Sequence, residues 1–163
     1  MFTVRPAEAN EAAFIEDMLV EAANWQPANK RSRQDTLAND QVRRYVGDWP
    51  RPGDVSVVAQ TPEGTPIGAA WYRHFSPHEP GYGFIDAAIP ELSIGVVTEW
   101  RGRGVGGAML DALCQAAIER GVAALSLSVE RANPALRLYE RHHFRVSDYS
   151  GGSVTMRLDL PGR

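Results

Sequence analysis

Hydrophobic residues in the first half of the chain follow two different spacings. In two segments they recur every three or four residues, as in an amphipathic helix, and elsewhere β-branched residues cluster in short runs. A strong turn signal at residues 61–66 separates two of those runs and predicts a hairpin. The predicted strands are 2–5, 55–60 and 67–75, the predicted helices are 7–23 and 34–46, and residues 82–88 fit either a strand or an extended loop.

The second half contains the clearest strand–helix–strand pattern. A strand is predicted at 91–97 and a long helix at about 104–120, with Gly121 where a C-terminal cap glycine belongs. The apolar face of that helix is expected to consist of Met109, Leu110, Leu113, Cys114 and Ala117. The remaining predicted elements are strands at 124–129, 144–148 and 153–160 and a short helix at 133–142. This order is typical of an α+β fold with one α/β unit in its second half.

Length and composition narrow the function classes. A chain of 163 residues suits one domain, here residues 1–163. The net charge of -3 argues against general nucleic-acid binding, which needs clustered basic residues. The single cysteine cannot form an internal disulfide, and neither a signal peptide nor a run of about 20 apolar residues is evident. A cytoplasmic protein with no membrane or nucleic-acid partner is therefore expected.

The run Arg101-Gly102-Arg103-Gly104-Val105-Gly106-Gly107 lies between a predicted strand and a predicted helix. Glycine inside a helix costs about 1 kcal/mol relative to alanine, so four glycines here need a reason. The run offers no Ser, Thr, Asp or Asn as an N-cap, which leaves the first backbone N–H groups of the helix free. Free N–H groups and the positive end of the helix dipole form an anion site, and the two arginines add charge for phosphate.

The spacing of the glycines alone does not identify which anion the loop binds. A mononucleotide P-loop is excluded because the run lacks the Gly-Lys-Ser/Thr ending. Gly102, Gly104 and Gly107 fit the dinucleotide spacing, although no second mononucleotide-binding half follows. A glycine-rich turn made only for close packing is the remaining alternative.

Here the chain resembles the GNAT acyltransferase superfamily. Arg101-x-x-Gly104-x-Gly106 is similar to the family's Arg/Gln-x-x-Gly-x-Gly/Ala signature, and residues 90–97 resemble its central strand. Residues 125–129 resemble the next strand, and residues 133–141 with Phe144 resemble the helix and phenylalanine that follow. His143 departs from the pattern, where the family commonly has glycine. The resemblance implies a mixed, mostly antiparallel sheet of six or seven strands with about four helices and a splayed central strand pair.

The resemblance implies acetyl-CoA as cosubstrate and no metal. Main-chain groups of Val96 and Val97 would contact the pantetheine arm, and Asn133 would bond pantetheine, cap the second helix or do both. The loop residues that would hold the diphosphate are Arg101, Gly102, Arg103, Gly104, Val105, Gly106 and Gly107.

Two side chains are candidates for catalysis by the same resemblance. Tyr139 would be the general acid for the leaving thiolate, since a tyrosine can protonate a thiolate of Cys-like pKa. Glu91 would be the base that helps to deprotonate the amine, with a water chain as the alternative. The alternative for Glu91 is a strand-end carboxylate that faces solvent or binds Arg101 or Arg103.

The first half is expected to form the acceptor pocket. The candidates are aromatic or basic residues, namely Trp25, Trp71, Arg73 and Tyr82, with Tyr72 and Phe75 as further possibilities. The four histidines lack a convincing metal-ligand spacing. The implied function is transfer of an acetyl group from acetyl-CoA to a primary amine of a small molecule or peptide in a ternary complex. A silent acetyl-CoA sensor and a transferase for longer acyl-CoA remain alternatives, and a homodimer is also suggested.

Overall fold

A computed structural model describes residues 1–162, with seven strands, five α-helices and three 3-10 turns. The strands are β1 Thr3–Pro6, β2 Val55–Gln60, β3 Pro66–Arg73, β4 Glu91–Val96, β5 Ala124–Glu130, β6 Arg145–Ser150 and β7 Ser153–Asp159. The helices are α1 Ala12–Ala23, α2 Arg33–Ala38, α3 Asp40–Arg43, α4 Val105–Glu119 and α5 Ala135–Arg141. The α+β prediction is confirmed.

The strands form one mixed sheet in the order β1-β2-β3-β4-β5-β7-β6. Every neighbouring pair is antiparallel except β4 and β5, which are parallel and meet at only one register pair, Glu91 with Ser126. Beyond that pair the two strands diverge, and β4 and β5 are therefore the splayed central pair that the family resemblance implied. Separated strands leave main-chain N–H and C=O groups without a ladder partner, and such groups need a partner from elsewhere.

The two faces of the sheet carry separate hydrophobic clusters because side chains alternate along each strand. On one face, Tyr72 and Leu92 pack with buried residues of α4, including Met109 and Leu113. On the other face, Trp71 packs with buried residues of α1 and with residues that follow α3. Helices therefore cover the sheet on both sides, and the site lies where the central strands separate.

The helix predicted at 34–46 is divided in two. Asn39 has extended backbone angles, and its side-chain oxygen accepts hydrogen bonds from the N–H groups of Gln41 (3.0 Å) and Val42 (3.3 Å). An asparagine that caps a new helix in this way ends the preceding one. This division gives five α-helices within residues 1–162, where about four were expected.

Residues 82–88, which fitted a strand or a loop, form turns and irregular structure rather than a strand. Gly121 does cap α4 as predicted, with a φ of 75° and a hydrogen bond from its N–H to the Ile118 carbonyl. Within residues 1–162, we find no helix with the length and apolar character needed to cross a membrane.

Candidate active site

A cavity of about 870 Å³ is lined by both strands of the splayed pair. The start of α4 and one side of α5 form one end of its wall, and the segment that connects α1 to α2 contributes to another. Charged, aromatic and main-chain groups from distant parts of the chain therefore face one space. Its lining includes Trp25, Tyr45, Tyr82, Glu91, Ile94, Val96, Gly104, Gly106, Gly107, Glu130, Asn133 and Tyr139.

The first turn of α4 is open, as the absence of a capping side chain predicted. Gly104 occupies the N-cap position in the left-handed region with a φ of 84°, and no side chain caps the helix. The N–H of Ala108 is bonded to the Gly104 carbonyl at 3.1 Å, so the N–H groups of Val105, Gly106 and Gly107 precede that helical bond. These groups and the helix dipole make the cavity end favourable for an anion.

The four glycines of the run have two different structural causes. Gly102 and Gly104 have φ values of 75° and 84°, a region that side-chain-bearing residues rarely adopt. Gly106 and Gly107 instead lie against α5, where an added Cβ would be 3.2 Å from Leu138 Cδ2 or 3.4 Å from His142 Cε1. Packing against Leu138 therefore restricts the space at Gly106, whereas the contact at Gly107 is an ordinary van der Waals distance.

The two arginines of the run lie in different surroundings. Arg101 lines the cavity, where its guanidinium contacts Glu21 at 2.9 Å and donates to the Val96 carbonyl at 3.2 Å. Arg103 is absent from the cavity lining and places its guanidinium 4.8 Å from the centre of the Trp100 ring. The structure therefore does not bring Arg103 to the predicted anion site.

Strand register decides which main-chain groups of β4 reach the cavity. The N–H of Val97 is bonded to the Ile67 carbonyl at 2.9 Å, so it points towards β3 and away from β5. Because hydrogen-bonding direction alternates along an antiparallel strand, Ile94 and Val96 present their main-chain groups to the gap instead. Main-chain groups of Val96 and Ile94 thus face the gap, and those of Val97 face β3; the sequence pattern did not identify Ile94.

Asn133 lies at the junction of the cavity and α5. Its side-chain oxygen accepts a hydrogen bond from the Ala135 N–H at 2.9 Å, which stabilises the first turn of α5. Its side chain lines the same cavity. The predicted capping role is present, and the amide nitrogen makes no hydrogen bond within residues 1–162.

Glu91 is 2% exposed and carries two hydrogen bonds on its carboxylate. The Tyr45 hydroxyl donates to one oxygen, and the Gly83 N–H donates to the other at 3.1 Å. Burial raises the pKa of Glu91 to about 7, and both hydrogen bonds act in the opposite direction because they favour the ionised form. Neither Arg101 nor Arg103 pairs with Glu91, so this carboxyl can change its charge near neutral pH.

The loop that follows β3 approaches Glu91 closely because two of its residues are glycines. A Cβ on Gly81 would overlap the Glu91 carboxylate and lie 2.8 Å from the Tyr45 hydroxyl oxygen. A Cβ on Gly83 would lie 2.6 Å from the main-chain carbon of Leu127 on β5. The loop can therefore bring the Gly83 N–H to the carboxylate only with glycine at both positions.

Tyr139 lines the cavity from α5 with little exposed surface. Burial raises its pKa to about 12, so the hydroxyl stays protonated throughout the neutral range. Its ring packs edge-on against Phe144, with the ring centres 5.9 Å apart. A hydrogen-bond donor of constant protonation state is thereby held at this wall of the cavity.

Trp25 and Tyr82 line the cavity. The Trp25 indole N–H donates to Glu130 at 2.5 Å, which joins the segment after α1 to the end of β5. Tyr82 is 48% exposed, and its ring stacks on that of Tyr45 with the ring centres 6.3 Å apart. Both side chains are positioned to contact a molecule that enters between α1 and β5.

Comparison with known proteins decides the family. The sequence profile described as "Acetyltransferase (GNAT) family" matches residues 11–144. This chain belongs to the GNAT acetyltransferase family. It is 28% identical over 134 residues to a mycothiol acetyltransferase of Corynebacterium aurimucosum; the match covers 78% of the chain but 41% of that relative. The chain thus spans about two fifths of that relative's length.

Solved structures of other acetyltransferases share the fold. A GNAT phosphinothricin acetyltransferase of Sinorhizobium meliloti in complex with acetyl-CoA has a TM-score of 0.67 and 21% identity, covering 98% of this chain and 88% of its own. An acetyltransferase of Salmonella typhimurium with its cofactor acetyl-CoA has a TM-score of 0.69 and 21% identity, covering 100% and 96%. At these identities the likeness shows the GNAT fold, and what each neighbour binds is a property of that neighbour.

Two predicted acceptor-pocket residues of this GNAT chain lie elsewhere. Trp71 is fully buried and donates its indole N–H to the Tyr45 carbonyl at 3.1 Å. Arg73 is 2% exposed and pairs with Asp54 at 2.6 Å. Both are absent from the cavity lining because they lie in the packed face beneath α1 and α3. Tyr72 and Phe75, the further possibilities, are buried in the two clusters as well.

Besides Ile94, sequence reasoning missed three residues of this GNAT site that lie around Glu91: Tyr45, Gly81 and Gly83. Tyr45 lies in the predicted helix 34–46, and the helical spacing there gives no sign of its contact with Glu91. Gly81 ends the Pro- and Gly-containing segment 76–81, and Gly83 lies in the segment 82–88, which fitted a strand or an extended loop. Among residues 1–162 no group of three or more potential metal ligands is present; His142 instead contacts Asp111 at 3.2 Å.

Proposed function

We propose that this GNAT protein transfers an acetyl group from acetyl-CoA to a primary amine of a small molecule or peptide. The observation that carries the proposal is one cavity that joins an uncapped helix start, strand groups outside the β4–β5 ladder and a buried carboxylate of pKa about 7. Family membership supports acetyl transfer as the chemistry.

The residues of the cavity fit acetyl-CoA. The N–H groups of Val105, Gly106 and Gly107 would hold the diphosphate, with Gly102 and Gly104 shaping the loop. Main-chain groups of Ile94 and Val96, in the gap between β4 and β5, would hold the amide-rich arm, and the Asn133 amide nitrogen is a further donor. When bound there, acetyl-CoA supplies the acetyl group as an activated thioester.

Glu91 and Tyr139 would carry the proton transfers. An ordinary lysine-like amine has a pKa of about 10.4, so the acceptor arrives as an ammonium ion and must lose a proton before it can attack. Conversion of an ammonium into an amide releases two protons, of which Glu91 accepts the first and the leaving sulfur takes up the second. Tyr139 donates a hydrogen bond to that sulfur as negative charge develops on it.

Direct transfer is favoured over a covalent enzyme intermediate. The cavity lining contains neither a cysteine nor a histidine from the described residues 1–162. Cys114, on α4, lies outside that lining, and burial raises the pKa of its thiol to about 11. A thiol of that pKa is a poor nucleophile at neutral pH. A ternary complex of protein, acetyl-CoA and amine is therefore the mechanism we propose.

Thermal melting with and without acetyl-CoA tests the coenzyme site. A ligand present at 100 times its Kd adds about 2.7 kcal/mol, or roughly 5–11 °C for a domain of this size. Gly104→Asp should abolish the shift, because a carboxylate at the start of α4 competes for the same N–H groups. Gly121→Asp is the matched control: it has a similar positive φ and open surroundings, but it lies at the opposite end of α4. It should retain the full shift.

Turnover of a panel of amines, followed by detection of free thiol, tests the reaction. Tyr139→Phe should lower turnover by about 100-fold or more while leaving the acetyl-CoA melting shift intact. Unchanged turnover would remove Tyr139 from the mechanism. A melting shift without thiol release from any amine would instead favour a silent acetyl-CoA sensor, and release only from longer thioesters would favour a different acyl donor.

A further inference from the structure

Tyr45 makes contacts that a buried aromatic residue does not need for packing alone. Its hydroxyl donates to Glu91 and accepts a hydrogen bond from the Tyr82 N–H at 2.8 Å. Its ring packs edge-on against Phe75 and stacks on Tyr82. The hydroxyl is therefore held from both sides, in line with the carboxylate, and Tyr45 itself lines the cavity.

We propose that Tyr45 is a positioning residue that keeps the Glu91 carboxylate ionised and directed into the cavity. This role rests on the proposed function only in so far as Glu91 accepts the proton of the acceptor amine. Tyr45 acts through Glu91, and the Tyr82 N–H in turn orients the Tyr45 hydroxyl so that its proton points at the carboxylate.

The physical basis is the cost of a charge that lies away from water. A buried carboxylate is stable only when hydrogen-bond donors replace the lost solvent. Glu91 has two such donors, the Tyr45 hydroxyl and the Gly83 N–H. Without the hydroxyl, one carboxylate oxygen would lose its hydrogen-bond donor, and the neutral acid would be favoured. Glu91 would then already be protonated and could not accept a proton from an amine.

No other charge near Glu91 performs this role. Arg73 lies opposite Glu91 in the β3–β4 register, but its guanidinium is bound to Asp54 at 2.6 Å. Arg44 donates to the Pro80 carbonyl at 2.7 Å. On β5 the register partner of Glu91 is Ser126, a neutral residue. From the loop that follows β3, the main-chain N–H of Gly83 faces the carboxylate. The Tyr45 hydroxyl is thus the side-chain donor on Glu91.

A pH profile of Tyr45→Phe tests the role, with Tyr72→Phe as the matched control. Tyr72 is also buried, but its hydroxyl has no hydrogen-bond partner among residues 1–162, so its loss removes a similar group without touching Glu91. In Tyr45→Phe the acidic limb of kcat/KM should move up by about one to two pH units. At pH 6 that shift lowers kcat/KM by about 10- to 100-fold relative to wild type. Tyr72→Phe should leave the limb unchanged.

A merely structural role for Tyr45 predicts a different result. It would lower the melting temperature and leave the acidic limb in place, and that outcome would overturn the proposal. Carbon-13 NMR of the Glu91 side-chain carboxyl, assigned with Glu91→Gln, reads the same titration in the free protein without turnover. The same upward shift in Tyr45→Phe supports the positioning role even if no amine is acetylated, in which case the proposed function alone has failed.

A measurement on the wild-type protein covers the case in which Tyr45→Phe does not fold. A buried hydroxyl proton that is donated to a carboxylate exchanges slowly enough to give a downfield resonance. We expect a Tyr45 hydroxyl resonance whose chemical shift follows the ionisation of Glu91 with pH. A Tyr45 hydroxyl signal that ignores the Glu91 titration would overturn the proposal.

Discussion

At the end of α5, one residue with a strained backbone, His143, forms the turn that packs Phe144 against Tyr139. His143 has a φ of 72°, in the left-handed region. Its N–H bonds to the Glu140 carbonyl and that of Phe144 to the Tyr139 carbonyl, both at 3.0 Å, which is the Schellman pattern. This turn brings the Phe144 ring against Tyr139. The sequence departs from the family's glycine at the very position where the backbone favours glycine.

Replacement of His143 by glycine should stabilise the protein. A side-chain-bearing residue in the left-handed region costs roughly 1–2 kcal/mol, and part of the gain is lost to the greater freedom of glycine when unfolded. We expect the free energy of unfolding in urea to rise by about 1 kcal/mol. His143→Ala is the control, since it removes the imidazole but keeps the strain and should bring no comparable gain. Equal stability of both variants would mean that the imidazole, not the backbone, matters here.

At the scale of elements, α1 and β4 are in direct main-chain contact. Gly95 lies in β4, and a Cβ there would overlap the Met18 carbonyl of α1 and lie 2.9 Å from the Met18 carbonyl carbon. Glycine at this position lets α1 lie close to the strand. Because β4 also lines the cavity, the position of α1 and the shape of the site are linked.

A methyl group at Gly95 should force α1 away from the sheet. We expect Gly95→Ala to lower the free energy of unfolding by about 1–3 kcal/mol or more, the usual range for overpacking. Gly152→Ala is the control because an added Cβ there meets no atom within 4 Å. Urea unfolding of both variants checks this, and a Gly95→Ala protein as stable as the control would contradict the close contact.

At the scale of the whole molecule, the buried carboxyl of Glu91 makes stability depend on pH. Its pKa is about 7 in the folded protein, against an ordinary value of 4.5, so between these two pH values the folded chain holds a proton that the unfolded chain has lost. The free energy of unfolding therefore falls as the pH rises from about 4.5 to about 7. Ionisation of Glu91, which proton transfer requires, therefore lowers the stability of the folded protein.

Glu91→Gln should remove this pH dependence. With 1.36 kcal/mol for each pKa unit, the stability of wild type relative to Glu91→Gln should fall by about 3 kcal/mol between pH 4.5 and pH 8. The measurement is urea unfolding of both proteins across that range, and other titrating groups cancel in the comparison. A constant difference would show that the pKa of Glu91 is not raised by folding.

Several predictions about the whole molecule are not tested by the fold or by the comparisons. One domain over residues 1–163, a cytoplasmic location, a homodimer and the absence of a metal stay predictions. So does the identity of the acceptor amine. Sedimentation of the purified protein would measure the oligomeric state.

The sequence by itself determined the local features of this protein. Apolar spacing predicted the sheet strands and the long helix α4, and Gly121 marked the end of that helix because its cap depends on neighbouring residues alone. The missing N-cap side chain at Gly104 predicted the open first turn for the same reason. Resemblance to the family then pointed to Glu91 and Tyr139, and both line the cavity.

Only the tertiary structure decided the partners that lie far apart in the chain. Arg101 pairs with Glu21, Tyr45 donates to Glu91, and Trp71 and Arg73 are buried. Strand register directed Val97 towards β3, although alternation along the strand alone could not say which edge it faced. Such contacts depend on how helices and strands pack against one another, and the spacing of residues along the chain does not indicate that packing.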